Sequence, residues 1–338
     1  MGVVSRGLDA TERFFFAPRA IHALVLGRII FGLSLFLCYV NRLPDVPDLY
    51  GPAGLLGPEL ATRLDSENLY GNAPAFAAWT NALRAIVPAP SLAATWVLTG
   101  TLLASSLAFA LGFFTRSAGF VALVLHHFFV TALAPYSYWG WSLHIQPLMA
   151  YLLCAPTGRF LSIDAWLARR RSHTEALPIS EWTAPAWPLR LIQIHTCCMY
   201  AVSGWARVDD PGWLNGEAVF DAVSVALHAK FAIDWQPFKT LLTIGTYAAL
   251  LLEGLAPLCL WMGTLGTLFA YALIAMHGSL ELTTNLGWWS HIMIASLLCF
   301  VPSAHLQQLI RKLPVGLRGP DPVPQPREKR GRSKKSKR

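Results

Sequence analysis

Pro188 to Phe220 reads PLRLIQIHTCCMYAVSGWARVDDPGWLNGEAVF. Its first half is apolar enough to cross a membrane, yet it carries polar groups at a helical period. On a helix, Gln193, Thr196, Tyr200, Ser203 and Arg207 fall within about an 80° arc at 100° per residue. Hydrogen-bonding groups left unpaired in hydrocarbon cost free energy, so this stripe turns away from lipid. It faces other helices or lines a cavity, and it ends on Arg207, just before the polar turn Asp209-Asp210-Pro211-Gly212.

The rest of the chain fits that membrane setting. Of its 338 residues, 54% are hydrophobic and 14% charged, well under the roughly 25% charged residues of a soluble domain. Thirteen Trp and eighteen Phe supply interface anchors and bulky packing. The expected fold class is an all-α integral membrane protein, a bundle of about eight transmembrane helices with short interfacial helices.

The expected spans are Ala20–Val40, Leu92–Phe114, Ser117–Leu133, Trp141–Pro156, the Pro188 stretch, Thr240–Met262, Gly263–Gly278 and Trp288–Val301. A 1–19 arm precedes a 20–302 membrane domain, and a basic tail, expected to be disordered, runs over 303–338. Within 41–90, two amphipathic pieces, 59–67 and 75–86, are expected on the membrane surface. Ser162-Ile163-Asp164 reads as the start of another interfacial helix.

Net charge is +8, but eleven of the 27 Lys and Arg follow Pro302. Such a tail beside a span attracts anionic lipid and sets topology, so the lipid bilayer is an expected partner and nucleic acid is not. Arg169-Arg170-Arg171 and the tail fall on one side, which the positive-inside rule makes cytoplasmic. Both termini are then cytoplasmic in a multi-pass protein of the cell membrane. No cleavable leader is expected, because Asn41-Arg42-Leu43-Pro44 follows the first apolar run. The six Cys show no metal or disulfide spacing and read as small buried hydrophobes.

Candidate chemistry gathers in the outer half of the bundle: His144, Tyr151, Tyr200, Arg207, His277 and His291. Histidine titrates near neutrality and suits acid–base work. No His pair has metal-ligand spacing, so no metal is expected. Arg28 and Glu253 lie deep in spans, where ionisable groups pair or serve a site. Two readings of Glu253 stand: a proton relay, or the partner of Arg28. No phosphate-binding or nucleophile-elbow motif occurs.

Tyr200-Ala-Val-Ser-Gly204-Trp-Ala-Arg207 followed by Trp213-Leu-Asn-Gly216-Glu-Ala218 resembles the Tyr-x-x-(Ala/Ser)-Gly-x-x-Lys…Trp-x-x-Gly-x-Ala signature of the HTTM family. These horizontally transferred transmembrane domains are related to vitamin K-dependent gamma-glutamyl carboxylase. Gly27-Arg28-Ile29-Ile30-Phe31-Gly32, Tyr50-Gly51-Pro52-Ala53-Gly54 and Leu161-Ser162-Ile163-Asp164 resemble further family motifs. Glu253 and His277 sit where the family tends to place a Glu and a His.

The resemblance spans about residues 10–302 and lacks the carboxylase's lumenal domain. It implies a membrane site for a reduced quinone of the vitamin K or menaquinol type. Arg207, Tyr200, His277 and Glu253 would be the catalytic groups, and Arg28, His144, Tyr151, Trp213 and His291 the quinone-binding ones. In the carboxylase a Lys base deprotonates the hydroquinone; oxygen then turns it into the base that removes a glutamate γ-proton for attack on CO₂. The implied partner is a secreted or membrane peptide, and the family suggests a bacterial inner membrane. Here Arg207 stands at the Lys position. Arginine does not give up its proton in proteins, so its role would be electrostatic. A maturation, immunity or scaffold factor for a secreted peptide is the non-enzymatic alternative. A transporter is disfavoured by the lack of an inverted repeat.

Overall fold

Helix follows helix wherever the sequence is apolar at a helical period. The computed structural model describes residues 3–52, 54, 82, 90–133, 140–173, 176–225 and 228–318. In order these are α1 (Val3–Phe16), α2 (His22–Asn41), α3 (Val46–Tyr50), α4 (Leu92–Leu111), α5 (Thr115–Phe128), α6 (Gly140–Cys154), α7 (Ile163–Ser172), α8 (Trp187–Ala206), α9 (Pro211–Leu214), α10 (Ala218–Ser224), α11 (Lys239–Cys259), α12 (Gly263–Thr283), α13 (Trp289–Leu297) and α14 (Ser303–Arg311). The all-α expectation holds but for one clasp: β1 (Pro18–Ala20) pairs antiparallel with β2 (Thr183–Pro185), Arg19 opposite Ala184. The expected surface pieces 59–67 and, apart from residue 82, 75–86, and the basic run 326–338 lie outside the described residues.

Four helices among the described residues are long and apolar enough to cross a membrane by themselves: α2, α4, α11 with its preceding turn, and α12. The expected eight are not reached on that measure, for local reasons. The Pro188 helix has 20 residues, but Arg190, Gln193 and His195 make it too polar. Helix α6 has 15 residues with Pro147 inside it. Helix α5 has 14 and runs on as a π-helical turn, Phe129–Leu133. The last expected span breaks after Phe300 and bends by 116° into α14.

Two boundaries move. Helix α12 runs to Thr283, past the expected end at Gly278. The segment after 302 opens as a packed amphipathic helix: Leu306 and Ile310 of α14 are buried against the bundle. The cysteines divide as well. Cys38, Cys197 and Cys299 are buried as expected, whereas Cys154 and Cys198 are exposed on the bundle surface.

The core forms where α2 packs on α4, α6 and α13, with α5 against α4 and α8 against α11. Phe31, Leu35, Phe109, Ile145, Leu148 and Leu273 fill it. One end of the bundle is tied by polar contacts. Arg28, fully buried, donates from Nη1 to the carbonyls of Thr157 (2.8 Å) and Phe160 (3.2 Å), and from Nη2 to that of Leu161. Ser162 caps α7 by accepting from the Ala165 N–H (3.0 Å). Asp164 accepts from the Phe114 and Thr115 N–H groups at the start of α5 (2.9 and 2.8 Å). The short helix expected at Ser162-Ile163-Asp164 is therefore present. At the other end, Ala229 bridges Thr284, and the Asn285 N–H donates to His228 (2.7 Å).

Candidate functional site

The polar stripe on α8 is buried at Gln193, Thr196 and Tyr200 and half-buried at Ser203 and Arg207. Gln193 donates to the Cys299 carbonyl (2.7 Å), and Thr196 turns its hydroxyl back to Ile192 (2.8 Å). Tyr200, 1% exposed, shares a 2.9 Å hydrogen bond between its Oη and Nε2 of His277 on α12. Ser203 donates to Oε2 of Glu253 (3.2 Å), and Arg207 forms a salt bridge to that same oxygen.

Small residues bring these groups together. A Cβ on Gly204 would lie 3.2 Å from the Gly254 Cα, so α8 and α11 approach backbone to backbone one residue from Glu253. Beyond α8, Asp210 accepts from the Gly212 N–H (2.8 Å) and opens α9. Gly216 has φ +76°, and a Cβ there would stand 2.6 Å from Thr243 Cγ2. A side chain is thus refused twice, by the left-handed backbone and by the neighbour. This tight turn brings Trp213 back over the Arg207 guanidinium, 4.1 Å from its ring centre. The Val219 N–H then docks on Thr246 Oγ1 (3.1 Å), laying α10 along α11.

A cavity of about 470 Å³ lies between α10, α11 and α12. Its walls are mostly small and apolar, including Ala222, Ala248, Ala249, Ala272 and Met276. Arg207, Trp213, Glu253 and His277 add polar groups to one part of the lining. His277 is 2% exposed and its Nδ1 has no hydrogen-bond partner.

A family model described as the HTTM domain matches residues 63–304. The chain belongs to the HTTM domain family. No curated protein and no solved structure matches it. With its apolar helices, the family makes this a membrane protein related to the carboxylases. The match covers every cavity residue and leaves Arg28 outside.

The nine residues expected at the site separate accordingly. Arg207, Glu253, His277 and Trp213 line the cavity, and Tyr200 is joined to it through His277. His144 is one layer behind it, its ring 5.5 Å from that of Trp289, which lines the cavity. Tyr151 stands behind His144, 6.1 Å from the ring of His195. His291 points elsewhere, pairing with Glu281 (3.4 Å) and packing on Trp288. Arg28 lies at the clasped end, bonded to carbonyls. The Arg28–Glu253 ion pair is not formed, because Glu253 is committed to Arg207 and the Arg28 guanidinium to three peptide oxygens.

His195 is the residue that the stripe argument missed. Its Nε2 meets Nδ1 of His144 at 3.0 Å with the rings stacked. It sits two positions after Gln193, about 200° round the helix from it, and so falls off the stripe. The usable signal was on α6, where His144 and Tyr151 share a face seven residues apart.

Proposed function

We propose that the α10–α11–α12 cavity holds a reduced quinone and that the chain acts through it on a peptide glutamate. One observation carries this reading: an apolar-walled cavity of ligand size bordered by Arg207 and by a buried His277 with an unpartnered nitrogen. The lining suits such a group, with Ala and Met walls for a ring and an isoprenoid stem and charged groups for an oxygen. Bound there, a reduced quinone with oxygen would supply the base strength that γ-proton removal requires.

The chain's own residues have separate tasks. The Arg207 charge steadies an oxygen anion and stays protonated throughout. Glu253 and Trp213 fix the guanidinium's direction. Tyr200 and His277 hold a proton between Oη and Nε2. When His277 donates from Nε2, its Nδ1 is a lone pair able to take a proton; when Tyr200 donates, Nδ1 carries one. His144, Tyr151 and His195 support the cavity from behind Trp289.

A multi-pass protein of about eight crossings with both termini cytoplasmic, in a bacterial inner membrane, accords with this reading. Segments 18–20, 157–164, 183–185 and 303–311 gather at one end, as that topology requires. A second reading is favoured by the Arg207–Glu253 pair itself. It puts a cation that keeps its proton where the family carries Lys, which suits a non-enzymatic maturation, immunity or scaffold factor for a secreted peptide.

The test is mass spectrometry of a vitamin K hydroquinone incubated with purified protein and oxygen. The expected result is oxygenated product from wild type above an Arg207→Ala control. Product from Arg207→Lys alone would make the site a silenced carboxylase. Product from none of the three would replace the quinone reading by the maturation-factor one.

A further inference from the structure

The clasped end of the bundle contains a second cavity, of about 380 Å³, whose lining includes Arg19, His22, Leu189, Cys299, Ser303 and Leu306. No carboxylate lines it. Three features make it a receptor for an anion. Arg19 lies on β1, where pairing with β2 fixes its backbone, and its exposed side chain has no ion-pair partner among the described residues. Helix α14 begins at Ser303 with no side-chain cap; the His305 and Leu306 N–H groups turn back to the Pro302 carbonyl, so the N–H of Ser303, which lines the cavity, and the positive end of the helix dipole are left for a ligand.

The third feature is His22, which is 0% exposed. Its ring stacks on Trp182, and its Nε2 lies 2.8 Å from the Ile179 carbonyl. A carbonyl only accepts, so Nε2 carries the proton. Nδ1 is buried and has no partner. A buried nitrogen left unpaired carries a desolvation cost that a ligand in the cavity would relieve.

We propose that Arg19, His22 and the α14 N-terminus together bind a phosphate group that retains an ionisable O–H, either the monoester headgroup of a phosphatidic acid-type lipid or free inorganic phosphate. The chemistry fits that class in particular. Arg19 and the helix N-terminus supply donors for anionic oxygens. Neutral His22 accepts the O–H of a singly protonated phosphate through Nδ1, and as imidazolium it donates to a phosphate oxygen. Sulfate at neutral pH has no O–H to offer. The amphipathic α1 lies beside the site, with Phe14 under the Arg190 guanidinium at 4.4 Å, as befits a segment at the bilayer surface.

The test titrates the purified full chain in detergent with inorganic phosphate and with a short-chain phosphatidic acid, and follows binding calorimetrically. Short-chain phosphatidylcholine is the control. Arg19→Gln and His22→Gln are compared with wild type; Gln at 22 keeps a donor for the Ile179 carbonyl but has no counterpart of Nδ1. The expected result is binding weakened about tenfold in each variant. Phosphatidic acid binding without free phosphate assigns the site to a lipid headgroup; binding of both assigns it to phosphate itself. Absence of binding by either probe, or affinity unchanged in the variants, overturns the proposal. Should His22→Gln fail to fold, exposed Arg19→Gln decides alone.

Discussion

Arg28 and Arg207 have opposite surroundings. Arg28 is wholly enclosed, and its two terminal nitrogens are spent on the carbonyls of Thr157, Phe160 and Leu161. Arg207 keeps 22% of its side chain exposed, has a carboxylate on one side and an indole on the other, and borders a cavity. The first is a clamp, because its donors close the Thr157–Leu161 loop onto α2. The second has donor capacity left toward open space. An arginine inside an apolar helix is therefore not a functional marker by itself; what matters is where its remaining N–H groups point.

The contrast is broken most directly at the clamp. Arg28→Met takes a donor from three peptide oxygens, of which only that of Thr157 keeps another, the Phe160 N–H, and should cost about 3 kcal/mol. Fluorescence-detected size exclusion and a thermal melt in detergent would show loss of the monodisperse species. An unchanged Tm would mean that the clamp is dispensable and the contrast false.

Glu253→Gln should act less severely, because Arg207 is partly exposed. A loss of about 2 kcal/mol is expected, most of it recovered in the Arg207→Met/Glu253→Leu double variant. A double-mutant cycle on Tm, completed by the Arg207→Met and Glu253→Leu single variants, measures the coupling; additivity would show that the pair holds nothing together.

Trp213→Leu sharpens the comparison at its weakest point. The stacked indole should contribute about 0.5–1 kcal/mol, so the melt shifts little. Hydroquinone binding should fall more than stability does, since the guanidinium loses its orientation. Equal effects on both would make Trp213 a packing residue only.

Much of this site was legible from residue spacing. The stripe from Gln193 to Arg207 announces itself because its period is that of the helix. Trp213 and Gly216 follow from the signature, and the structure adds why: the turn refuses a Cβ and folds the indole back over the cation. The partner of Glu253 was not legible. Arg28 was the partner named for it, because helical period gives a residue's face but not which neighbour meets it at which depth. His195 escaped because it faces α6 and not the stripe's own partner. The β1–β2 clasp, three residues a side with two prolines in register, has no alternation to betray it. Helix α14 was hidden by charge, since the basic composition after 302 masked the apolar spacing of Leu306, Leu309 and Ile310.

The Arg28 clamp also has a consequence for biogenesis. Its first acceptor, Thr157, lies 129 residues further along the chain. At ribosomal rates of about 5–20 residues per second, that segment emerges roughly 6 to 26 s after the arginine. Throughout that interval the first hydrophobic helix waits at the translocon with an unsatisfied cation. The nascent chain is then at its most vulnerable to quality-control proteolysis, and a delay in translation between codons 28 and 157 would lower the yield of mature protein without altering a single contact in it.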